Sequence, residues 1–144
     1  MKHFNLRVYG LLINDRNEIL LSDECRFEHF FTKFPGGGVE LGEGIVDALK
    51  REFVEELSVE LTEATPFYYN DFYQESAFRK DHQIVSFYYL VKCDLTKIKV
   101  HEYSIPFLEG MEKQRWIAIS KLTTDDLTFP IDKVVVSQLV NAFS

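Results

Sequence analysis

Apolar and polar positions along the chain follow two different rhythms. Residues 5–13 are apolar-rich and read as a strand. The turn chemistry of Asn14-Asp15-Arg16-Asn17 follows, and residues 18–22 read as a second short strand, so the two predict a hairpin. Residues 23–33 mix charge with aromatics and read as an irregular loop. Phe34-Pro35 then leads into Gly36, Gly37 and Gly38, which predict a shaped loop rather than a regular element. Beyond it the period changes. Ile45, Leu49, Phe53 and Leu57 recur every fourth residue, the stripe of an amphipathic helix. Aromatic and β-branched runs at 66–72, 83–91 and 114–119 predict further strands. A terminal helix is expected over 132–143, with Asp132 as its cap and Val135, Leu139 and Phe143 on one face. Helices and strands interleave without regular alternation, which favours a mixed sheet flanked by helices.

Composition narrows the class. A chain of 144 residues fits one domain over 1–144 with a real core. The net charge of −7 opposes a nucleic-acid-binding surface, which needs a basic patch. It leaves room for a small phosphorylated substrate, because divalent ions let carboxylates bind anions. No run approaches a membrane span and the first residues carry no signal pattern, so the expectation is a cytoplasmic protein without membrane attachment. Cys25 and Cys93 lack metal-binding spacing and read as two reduced, structural thiols.

The chemistry concentrates in residues 37–59. At roughly 100° per residue, Glu52, Glu55 and Glu56 fall within about 100° of helical arc. A solvated face should lie opposite the apolar stripe. Glu56 instead falls between Ile45 and Leu49, and the outer face is Asp47, Lys50 and Val54. Three carboxylates with only Arg51 beside them would repel one another and lose hydration. Either lysines or arginines from elsewhere solvate this edge, or a hard divalent cation such as Mg²⁺ occupies it. The glycine cluster favours the cation, because glycines let a backbone approach a ligand closely.

This stretch resembles the Nudix box, G-x5-E-x7-R-E-U-x-E-E-x-G-U, where U is a bulky apolar residue. Gly37, Glu43, Arg51-Glu52, Phe53, Glu55-Glu56 and Val59 fill the pattern in turn. Ser58 stands where the family has glycine. That glycine ends the helix in a left-handed conformation, so serine there should cost about 1 kcal/mol or force another cap. Phe34-Pro35 before the box and Arg115-Trp116 after it are also similar to the family.

The resemblance implies an α+β fold of the Nudix type, an αβα sandwich on a mixed sheet. It implies hydrolysis of a nucleoside diphosphate linked to another moiety, a nucleotide-like small molecule, with Mg²⁺ and with Mn²⁺ as a substitute. It makes Glu52 and Glu56 metal ligands, Glu55 a ligand or base, and the carbonyl near Gly37 a contributor. Glu43 and Arg51 become an ion pair bracing loop against helix. The base can also come from a separate loop, where Glu109 is favoured over Glu112 because Glu109-Gly110 reads as a mobile tip. Phe31, with Phe27 and Phe30, lies in the loop before the box, where it could wall a substrate pocket. Arg79, Lys80 and His82 lie between two predicted strands, where a plain turn competes with, and is favoured over, contact to a phosphate or ribose. The runs Phe67-Tyr68-Tyr69 and Phe87-Tyr88-Tyr89 read chiefly as cross-strand pairs. His3, His29 and His101 show no usable pattern. A homodimer is compatible with all of this. The competing functions are a hydrolase of capped RNA ends, opposed by the acidity, and a silent ligand sensor, opposed by the complete set of box glutamates.

Overall fold

A computed structural model describes residues 1–100 and 107–143; His101 lies outside them. The chain forms two units, Met1–Leu12 with Pro35–Lys97, and Ile13–Phe34 with the described part of Ile98–Ser144.

The first unit is built on strands β1 (His3–Leu12), β4 (Gly36–Gly38), β5 (Leu61–Tyr69) and β6 (His82–Cys93), in the order β4-β1-β6-β5. β1 runs parallel to β6 in unbroken register from His3↔His82 to Leu12↔Val91. The other pairs are antiparallel, so the sheet is mixed, as the sequence predicts. Helix α1 (Ile45–Leu57) packs on this sheet, with Ala48, Leu49 and Phe53 buried. Phe53 lies over Gly10, where a side-chain Cβ would stand 2.5 Å from the ring. A missing side chain on β1 thus makes room for the bulky residue in the box. β5 and β6 pair Tyr68 with Tyr88 and Tyr69 with Phe87, the cross-strand pairing expected. A hollow of 270 Å³ opens between residues 66–69 and 87–89.

The second unit holds β2 (Glu18–Arg26), β3 (His29–Lys33) and β7 (Glu112–Ala118), ordered β3-β2-β7 and fully antiparallel. Helix α2 (Pro130–Phe143) buries Ile131, Val135, Val136 and Leu139. Pro130 opens it, two residues earlier than expected, because a proline at the first helical position gives up no needed N–H. Asp132 is therefore a buried residue of the first turn and not the cap. Burial raises the pKa of both free thiols, Cys25 and Cys93, as expected of structural cysteines.

Three expectations are corrected here. β1 and β2 are not a hairpin: β1 has β6 on one edge and β4 on the other, so no edge remains for β2. The turn at residues 14–17 is real, but it closes on the isolated bridge Ile13↔Ile19. Residues 23–33 are not an irregular loop. They complete β2 and form β3 around a two-residue turn at Phe27-Glu28. Gly36–Gly38 is a short strand, with Arg7↔Gly38, Val8↔Gly37 and Tyr9↔Gly36 paired across it. A Cβ at Gly36, where φ is +142°, would collide with the Val8 carbonyl oxygen, so this strand lies too close to its neighbour for any other residue.

Candidate active site

The glycine strand and α1 are joined by one guanidinium. Arg51 Nη2 donates to Glu43 Oε1 at 2.7 Å and its Nε to Glu43 Oε2 at 3.1 Å, a bidentate pair. Nη2 also donates to the Gly38 carbonyl at 2.9 Å, while Nη1 reaches Glu52 at 3.1 Å and Glu55 at 3.2 Å. Arg51 therefore fixes the loop carbonyl and gathers acids from loop and helix at once. Its hydrogen bonds to Glu43 raise its own pKa, with Glu52 and Glu55 reinforcing the effect. The same bonds, and the Glu40 amide, hold Glu43 below the usual carboxylate range.

One positive charge cannot balance the carboxylates around it. Glu40, Glu43, Glu52 and Glu55 all lie within ion-pair distance of Arg51. Glu56 accepts from the Gly36 amide at 3.3 Å. The Glu52 carboxylate fills the space beside Gly37: an added Cβ there would stand 2.6 Å from Oε1. A cradle of oxygen donors with excess negative charge, against backbone stripped of side chains, fits a hard divalent ion. Asp47, Lys50 and Val54 are exposed, the outer face read from the periodicity. Ser58 ends the helix at φ +55°, ψ +36°, its N–H donating to Val54 O. The serine thus takes the left-handed cap that glycine would occupy without strain.

The remaining sequence-derived candidates have partners of their own. Arg79 is exposed in a bend, with its backbone N–H on Ser76 Oγ. Phe31 is a core ring packed on Phe129, with centroids 5.3 Å apart, so it does not form an exposed wall. Strand alternation explains this, since Phe30 takes the outward position. Glu109 is not at a free tip. Its carboxylate accepts from the amides of Phe27 at 3.1 Å and Glu28 at 2.7 Å. Glu112 pairs with Arg26 at 2.6 Å.

Sequence reasoning missed a buried polar layer in the second unit. Glu24 is 2% exposed and bonds Lys33 at 3.0 Å, Arg26 at 3.4 Å and Ser22 at 3.1 Å. Asp23 likewise takes Arg115 at 2.8 Å and Thr32 at 2.5 Å. The alternation of Ser22, Glu24 and Arg26 was the available signal, but charged residues at inward positions read as loop.

Comparison with known proteins settles the family. The sequence matches the profile of the NUDIX domain over residues 3–138. The chain belongs to the NUDIX family. It is 26% identical to the 8-oxo-dGTP diphosphatase of Escherichia coli K12 over 141 residues, 96% of this chain and 98% of that one. A MutT structure from work on the Aliivibrio salmonicida and Vibrio cholerae proteins is 25% identical, with a TM-score of 0.67 over 97% of this chain and 99% of that one. A NUDIX hydrolase from Nitrosomonas europaea shares the fold at 18% identity, TM-score 0.65, over 96% and 90% of the two chains. The mixed α+β architecture is that of Nudix enzymes, and the protein is a Nudix pyrophosphate hydrolase. Enzymes of this family generally use a divalent metal ion. Among the described residues, no helix is long and apolar enough to cross a membrane.

Proposed function

We propose that the chain, as one catalytic domain over residues 1–144, hydrolyses the diphosphate linkage of a nucleoside diphosphate bearing a further moiety. The supporting observation is the Arg51-gathered set of carboxylates beside the side-chain-free Gly37. Glu52 and Glu56 would hold Mg²⁺, or Mn²⁺ in its place, with the Gly37 carbonyl completing the oxygen set. When bound, the ion neutralises the diphosphate and lowers the pKa of a water molecule. Water attacks one phosphorus, a new P–O bond forms, and the anhydride P–O bond breaks to release two phosphate-terminated products. Glu55, exposed at the end of the acidic row, takes the proton. Arg51 and Glu43 hold the loop carbonyl and the helix in one geometry, so that no reorganisation is needed during the reaction.

The 8-oxo-dGTP diphosphatase likeness supports nucleoside triphosphates as the first substrates to try. Replacing Glu56 with glutamine keeps its shape and removes its charge. Turnover should fall at least about 100-fold while the fold persists. Unchanged turnover in a folded Glu56→Gln variant would remove Glu56 from the site.

A further inference from the structure

The turn between β2 and β3 is built against the preferences of its own residues. The register Arg26↔His29 leaves Phe27-Glu28 as a two-residue hairpin loop. Both have left-handed backbones, with φ +54° and +63°. Such turns normally take Asn-Gly, because a branched or bulky side chain clashes there. Phe27 and Glu28 can hold this shape only with outside support, and that support is visible. Their two amides converge on the Glu109 carboxylate, one on each oxygen, an anion held by a backbone nest. Glu109 is itself pinned to β2. The Gly110 amide donates to the Cys25 carbonyl at 2.6 Å, and the Cys25 amide to Met111 at 3.1 Å. Phe107 rests on Phe30 at 5.3 Å.

We propose that Glu109 is a positioning residue, the latch that holds the β2–β3 turn and fixes the register of β3, and not the proton acceptor. The register matters because β3 carries Lys33, the close partner of buried Glu24. A one-residue slip would turn every β3 side chain to the opposite face. The activity part of this inference rests on the hydrolase reading above; the structural part does not.

A double-substitution cycle separates latch from base. In the Phe27→Asn/Glu28→Gly background the turn should form without an anion. Glu109→Ala in the parent should lower Tm by roughly 5 °C. It should also speed exchange of the residue 27 and 28 amides about tenfold. In the Asn-Gly background the same substitution should cost under about 2 °C, and turnover should return to within about threefold of the parent. An undiminished Tm loss in that background overturns the latch. A turnover deficit near 100-fold that persists after Tm recovers assigns Glu109 to the proton transfer instead. If the parent itself turns nothing over, the hydrolase reading fails, and the thermal and exchange arms still decide the latch.

Discussion

Two acid-rich regions of this molecule use their carboxylates in opposite ways. In the first unit, four acids of α1 and its loop crowd one arginine beside bare glycine backbone. In the second, Glu24, Asp23, Glu112 and Glu109 each meet a cation or amide at close range. A carboxylate whose charge is locally balanced stabilises a fold. A set gathered around one arginine offers oxygen donors of the kind a hard cation takes. Substitutions in the second region should therefore act first on stability, and those of Glu52 and Glu56 in the first on turnover.

The largest effect is expected at Glu24. Glu24→Ala removes a buried carboxylate that lies 3.0 Å from Lys33, itself 5% exposed, and that also meets Arg26 and Ser22. Unfolding in urea should show a loss of about 3 kcal/mol. A loss below about 1 kcal/mol would mean that this polar layer is not structural.

The Glu43–Arg51 pair sharpens the contrast through pH. The folded pKa of Glu43 lies below its ordinary value. Its stabilisation is thus complete above the usual carboxylate range and fades as pH falls through the lower, folded value. Melting the parent and Glu43→Gln from about pH 7 down to about pH 3 should give curves that converge at the acid end. Parallel curves would show that the pair adds nothing to folding.

The smallest effect is at the end of α1. Ser58→Gly should gain about 1 kcal/mol, or roughly 2–4 °C in Tm, by relieving the left-handed serine. Lost stability would show that the serine side chain supports this cap.

What was legible in the sequence follows the same division. The box is local. Its residues lie on one loop and one helix, so spacing carries the periodicity of α1, and likeness to the Nudix box carries the pairing of Glu43 with Arg51 and the left-handed cap at Ser58. The second region depends on register between distant segments. Glu109 meets a turn 81 residues away, and Asp23 meets Arg115 across 92. Spacing holds no record of such contacts, so Glu109 read as a free tip and residues 23–33 as loop. The separation of β1 from β2 was hidden for a related reason. Ten residues of parallel pairing with β6 decide it, and no turn signal announces them.

The most direct test of the account is phosphate or pyrophosphate release with Mg²⁺ and with EDTA. The substrates are oxidised and ordinary nucleoside triphosphates, ADP-ribose, nucleotide sugars and dinucleoside polyphosphates, with a phosphatase added where the product is a monophosphate. A metal held by Glu52 and Glu56 predicts turnover of one class that needs the ion and is lost in Glu56→Gln. Turnover that persists in EDTA, or that survives Glu56→Gln unchanged, would contradict it.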